Sequence, residues 1–271
     1  MQFRSASVVG AAAVLWLLVS PTTTAQASQT DAVDAITDIV TGVEPEHGES
    51  LRMADFEASS AETDVIAPED ADGLLSLSSG GTEIAISLPT NVDLADGDLA
   101  SNGMIVYAPQ DEASGGVVVE ALEDGSVQIQ AVIESDSSEH SLEYELDLPV
   151  GAELQLADTG EVLVIGADGS FEAGLAVPWA VDATGADVET HFSIAGSTVT
   201  QHVEPASDSV YPIVADPWLG ISLISYTHWR YNYGGSGDWT LMVYPTWYGR
   251  HGAPAARWAA WSEVQSKTPG T

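Results

Sequence analysis

The 271-residue chain carries 41 acidic against six basic side chains, a formal net charge of −35, and no cysteine. So anionic a protein repels nucleic acid, whose phosphate backbone dominates affinity, and it repels anionic membrane surfaces as well. The absence of thiols excludes cysteine catalysis, thiolate metal sites and an anchor carried on cysteine.

Residues 1–27 have the layout of a secretory signal peptide. Arg4 provides the positive start, Val8 to Ser20 an apolar run too short to span a bilayer well, and Ala25-Gln26-Ala27 a small-x-small cleavage site. The mature protein is therefore expected to begin near Ser28, to work outside the cell or at its envelope, and not to insert in a membrane. No second apolar stretch reaches membrane length. The remaining chain is long enough to bury roughly 70–75% of its unfolded surface without disulfides.

Residues 28–72 read as a short helix and an acidic, disordered linker. Val33, Ile36, Val40 and Val43 recur at helical spacing within Asp31 to Val43, behind acids in the first turn. From Glu44 to Asp72 large apolar residues are few, so the segment buries too little to offset the entropy of ordering it. The helix is expected to sit in a flexible arm.

Residues 73–217 read as an acidic β-rich domain. His140 to Leu148 alternates Leu142, Tyr144, Leu146 and Leu148 with Ser141, Glu143, Glu145 and Asp147. Ser126 to Ile133 repeats the pattern. Further strands are expected at Thr82–Leu88, Met104–Ala108, Gly116–Ala121, Ala152–Leu156, Glu161–Ile165, Phe171–Val177, Val188–Ile194 and Thr198–Val203, with Gly- and Asp-bearing turns between them. Strands of this length and spacing predict antiparallel sheets packed as a sandwich. Acids at outward positions then form a solvated surface that also protects sheet edges.

Composition changes at Pro217. Six of eight tryptophans and five of eight tyrosines follow it, with four of the six bases and only Asp238 and Glu263 among the acids. Trp229–Tyr233 and Trp239–Tyr244 flank Gly234 to Asp238 as a hairpin, and Pro254 to Lys267 reads as a closing helix. Residues 218–271 are thus expected to form a small Trp/Tyr-rich β+α module.

Three runs resemble a module of secreted actinobacterial proteins: Pro178 to Gly185 (PWAVDATG), Thr190-His191-Phe192, and Tyr211 to Trp218 (YPIVADPW). The tail, Thr240 to Trp247 with Arg250 and then Ala260 to Val264 (AWSEV), is similar to the opening of the domain of unknown function 2599. The resemblance covers about residues 175–271. It implies a domain that runs further, so the module is expected to be incomplete, and it brings no activity and no catalytic residues.

The sequence contains no nucleophile elbow, phosphate loop, dinucleotide fingerprint or His-Glu-x-x-His motif. His191 and His202 fall on neighbouring strands, where Asp187, Glu189 or Glu204 would have to complete a metal site. Glu69, Asp70 and Asp72 beside Gly73, and Asp93, Asp96 and Asp98 beside Gly97, read as turns; calcium is the one cofactor such oxygen-rich loops suggest. Trp229, Tyr231, Tyr233, Trp239, Tyr244 and Trp247 are the residues for stacking on a sugar ring or burying at a protein interface, and otherwise form the core of the tail. The leading reading is a non-catalytic exported protein that binds at the cell envelope or in the medium, to cell-wall glycan or to another exported protein. The alternatives are a secreted hydrolase or effector using His228, His251, Arg250 and Asp238 or Glu263, and a carbohydrate-binding module.

Overall fold

A computed structural model describes residues 22–44, 49–60, 63–110 and 115–221, with side chains from Val33 onward, and the backbone of three C-terminal strands at 227–233, 238–244 and 265–267. Helix α1 (Thr22–Val43) leads into three short strands, β1 (Ser50–Leu51), β2 (Glu57–Ser59) and β3 (Asp64–Ile66). Six longer ones follow: β4 (Leu74–Ser79), β5 (Thr82–Ser87), β6 (Leu94–Leu99), β7 (Ile105–Pro109), β8 (Val117–Leu122) and β9 (Val127–Ile133). Then come β10 (Ser141–Asp147), β11 (Glu153–Leu156), β12 (Val162–Ile165), β13 (Phe171–Leu175), β14 (Ala180–Val181), β15 (Glu189–Ala195), β16 (Thr198–Glu204), β17 (Ile213–Ala215) and β18 (Trp218–Ile221). β19 (Thr227–Tyr233), β20 (Asp238–Tyr244) and β21 (Gln265–Lys267) complete the described elements.

The body is a sandwich of two antiparallel sheets. The larger runs β11-β12-β13-β18-β9-β8-β7-β6, with β1 on β8 and the β14–β17 pair on β9; the smaller runs β15-β16-β10-β5-β4-β3-β2. Their inner faces share one core, in which Leu75, Leu77, Ile84, Ile86 and Tyr144 of the smaller sheet meet Val119, Ile129, Val164 and Leu219 of the larger. β10 alternates buried and exposed residues as its sequence requires.

β8 and β9 are buried at every position, and α1 lies over β7, β8 and part of β9 on the sheet's outer face. Val33 and Val40 of α1 pack with Met104, Val106, Val118 and Val132, supported by Ile36, Ile39 and Val43. Full burial of one such side chain contributes about 1.5–3 kcal/mol, enough to hold a helix that would be marginal alone. Gly116 permits the approach: a Cβ there would stand 2.9 Å from Ile36 Cδ1. The helix therefore docks on the body rather than sitting in a flexible arm. Gln130 of β9 donates to Glu44 and Gln128 beneath the helix end, at 2.7 and 2.6 Å.

Four other expectations are corrected. The acidic stretch after Glu44 contains β1, β2 and β3, each tied into a sheet by pairing, with Met53, Ala58, Val65 and Ala67 buried in the core. Asp96 and Asp98 lie within β6, which bulges between Leu94 and Gly97 against β7. The body does not end at Pro217, since Trp218–Ile221 pairs with both β13 and β9. Gln265–Lys267, expected as the end of a helix, forms a strand on β20. The rest of that predicted helix and the apolar run upstream of the cleavage site lie outside the described residues.

Candidate functional site

His191 and His202 stand directly opposite each other in the β15–β16 ladder, with rings stacked at 4.9 Å. His202 Nε2 meets Ser193 Oγ at 2.8 Å and its Nδ1 meets Ser141 Oγ at 3.3 Å, so both ring nitrogens are taken. His191 Nδ1 lies 3.6 Å from Glu204 Oε1. The expected proximity of the two histidines is real, but the rings face one another instead of sharing a ligand. Among the described residues no three His, Asp or Glu side chains gather as a metal ion requires. The Ser193–His202 pair has nucleophile–base spacing, yet the second nitrogen meets a neutral hydroxyl where a catalytic base is usually oriented by a carboxylate.

In the tail, only backbone register is described. β19 and β20 form the expected hairpin, closing at Tyr233 opposite Asp238. Trp229, Tyr231 and Tyr233 take alternate positions, in the same set as Tyr244, which pairs with Thr227. Trp239 pairs with Asn232 and belongs to the other set. His228 pairs with Val243, five residues along β20 from Asp238, so the two are separated by about 17 Å of strand and fall in alternate sets. Trp247, Arg250, His251 and Glu263 lie outside the described residues.

The three runs that carry the family resemblance meet inside the sandwich. Trp179 donates its backbone N–H to Asp216 Oδ1 at 2.8 Å, while the Trp179 carbonyl accepts from Gln201 Nε2 at 3.2 Å. Gln201 also donates to Thr190 Oγ1 at 3.2 Å. Asp182 Oδ1 accepts from Thr184 N, Thr184 Oγ1 and Ala186 N, and its Oδ2 from Val210 N. These bonds, led by that from Thr184, lower the Asp182 carboxyl to about 2. The motif thus ties β14 to β17 and closes a loop; its polar residues are structural.

A cleft of about 500 Å³ opens beside the β3–β4 and β5–β6 connections, within the usual range of ligand sites. Its walls bring together the two acidic segments, Asp70 and Asp72 from one and Asp93 and Asp96 from the other. Nothing in the sequence signals this convergence, which depends on how β3–β4 and β5–β6 turns meet. Both walls are held in place. Gly97 N donates to the Glu69 carbonyl at 2.8 Å, and Tyr107 Oη to that of Pro68. Opposite, Thr90 N donates to the Glu143 carbonyl at 2.8 Å, Asn91 bridges Ser141 and Glu143, and Gln110 Nε2 donates to the Leu94 carbonyl at 2.8 Å. All four aspartates are exposed. Arg52 is the only Lys or Arg among the described side chains, and it donates to the Ser101 carbonyl at 2.7 Å.

No protein-family model, no curated protein and no solved structure matches the chain. Among the described residues no helix is long and apolar enough to cross a membrane.

Proposed function

We propose that this is a non-catalytic exported binding protein whose cleft takes a cationic segment of another exported protein. The observation that carries the reading is the convergence of Asp70, Asp72, Asp93 and Asp96 on one preformed cleft. The carboxylates line it without closing on a single point, which suits a ligand with several separated positive charges better than one ion. A lining of this sign disfavours anionic glycans. Walls already fixed by hydrogen bonds lose little freedom on binding, so less of the interaction is spent on ordering.

Exposed ion pairs contribute about 0.2–1 kcal/mol each. Four of them together supply about 0.8–4 kcal/mol, a dissociation constant of about 1 mM at the tightest, screened strongly by salt. Calorimetric titration with an oligolysine peptide tests this. Binding that weakens several-fold in Asp72→Asn/Asp93→Asn and falls with ionic strength is expected. Equal binding by that variant would contradict the reading.

A further inference from the structure

We propose that the outer face of the β12–β13–β18 half of the large sheet is the docking site of the chain's own C-terminal segment, residues 222–271. On this face Leu122, Leu163, Ala176 and Trp218 form an apolar cluster with exposures of 0, 1, 4 and 5%. Among the described residues every member comes from the sheet or its margin, with Ile165 and Phe171 beside it. Side chains standing on a sheet shield one another's flanks, while their tips need a covering layer about 10 Å away. Helix α1 is not that layer, because it packs on β7, β8 and β9. The smaller sheet is not either, since it covers the opposite face.

The C-terminal segment fits in position, composition and charge. It leaves the body at Ile221, the end of β18, which pairs with β13 inside this half of the sheet. It holds Trp229, Trp239, Trp247, Trp258 and Trp261, residues that bury more area each than any other type. It carries Arg230, Arg250, Arg257 and Lys267, whereas the described side chains of the body include one base, Arg52. Docked in this way, the aromatic tail completes this apolar cluster and is not a free glycan-stacking platform.

The chain has no cysteine, so one introduced thiol reports without background. In full-length protein, Ala176→Cys should react with a soluble maleimide at least about tenfold more slowly than Val150→Cys, whose native side chain is fully exposed. Adding Trp229→Ser and Trp239→Ser, one from each alternate set of the hairpin, should remove that protection and leave Val132→Cys, under α1, slow. Ala176→Cys that reacts as fast as Val150→Cys in the native tail, or stays slow with the substituted one, overturns the proposal. Should the substitutions also expose Val132→Cys, trypsin removes the tail instead from an Arg52→Gln background, which has no Lys or Arg between Arg4 and Arg230. Release of Ala176→Cys with retention of far-ultraviolet dichroism then supports docking, and continued protection refutes it.

Discussion

Asp216 and Trp179 are bonded to each other in both directions: the Asp216 carboxylate accepts the Trp179 N–H at 2.8 Å, and the Trp179 carbonyl accepts the Asp216 N–H at 3.3 Å. The first residue is fully buried and the second nearly so. Around this clasp sit Gln201 and Thr190, so β14, β15, β16 and the β17–β18 connection share one polar knot within an apolar core.

Removing the carboxylate leaves a buried N–H without its acceptor. Asp216→Ala is therefore expected to cost about 1–3 kcal/mol. Urea unfolding should show a lower midpoint at unchanged slope. A midpoint equal to that of the native protein would mean the clasp is not needed.

Asp182 makes stability depend on acid pH. Its carboxyl sits at about 2 in the folded protein, chiefly through the hydrogen bond from Thr184, against about 3.9 unfolded. A lowered carboxyl stabilises the fold at every pH above its unfolded value and ceases to do so as pH falls through the folded one. Stability should then decline between about pH 4 and pH 2, and Asp182→Asn should flatten that part of the profile. A variant with the same acid limb as the native protein would contradict this.

Two tyrosines should govern the alkaline limb. Burial pushes the phenols of Tyr107 and Tyr144 well above 10, and the Asp216 charge raises Tyr144 further. A raised phenol favours the fold below its unfolded value, and that contribution is lost as pH climbs beyond it. Absorbance at 295 nm should show a fraction of the eight tyrosines refusing to ionise until the protein unfolds cooperatively. Smooth ionisation of all eight around about pH 10 would be the opposite result.

Much of this fold was legible wherever one face of a strand is solvated. β10 shows it best, because Leu142, Tyr144 and Leu146 alternate with acids. The strand expected at Gly116–Ala121 is present as β8, but the run Val117-Val118-Val119 carries no alternation because both its faces are covered, and periodicity failed where a strand offers one inward residue only, as with Ala58 in β2 and Val65 in β3. The change in composition at Pro217 is real, but β18 pairs across it, and composition carries no information on pairing. Of the candidate site, the acidic segments were visible singly. Their meeting in one cleft depends on the placement of two turns by Tyr107, Asn91 and Gln110, contacts between residues up to 52 positions apart.

Docking of α1 rests on the gap left by Gly116. Gly116→Ala brings a Cβ to 2.9 Å from Ile36 Cδ1 and 3.1 Å from the Tyr107 carbonyl. Overpacking of this kind costs about 1–3 kcal/mol. Ile36→Val removes the Cδ1 atom, so the double variant should be more stable than the two single effects summed. Strict additivity in thermal unfolding would show that helix and strand do not meet there.

The central claim is that the cleft, not the anionic surface at large, receives a cationic partner. Carbodiimide footprinting of the carboxylates with and without oligolysine, at near-physiological salt, tests it most directly. Selective protection of Asp72, Asp93 and Asp96, with Asp64 and Glu145 on the open face of the smaller sheet still reactive, is the predicted result. Protection spread evenly over both groups, or none at all, would contradict it.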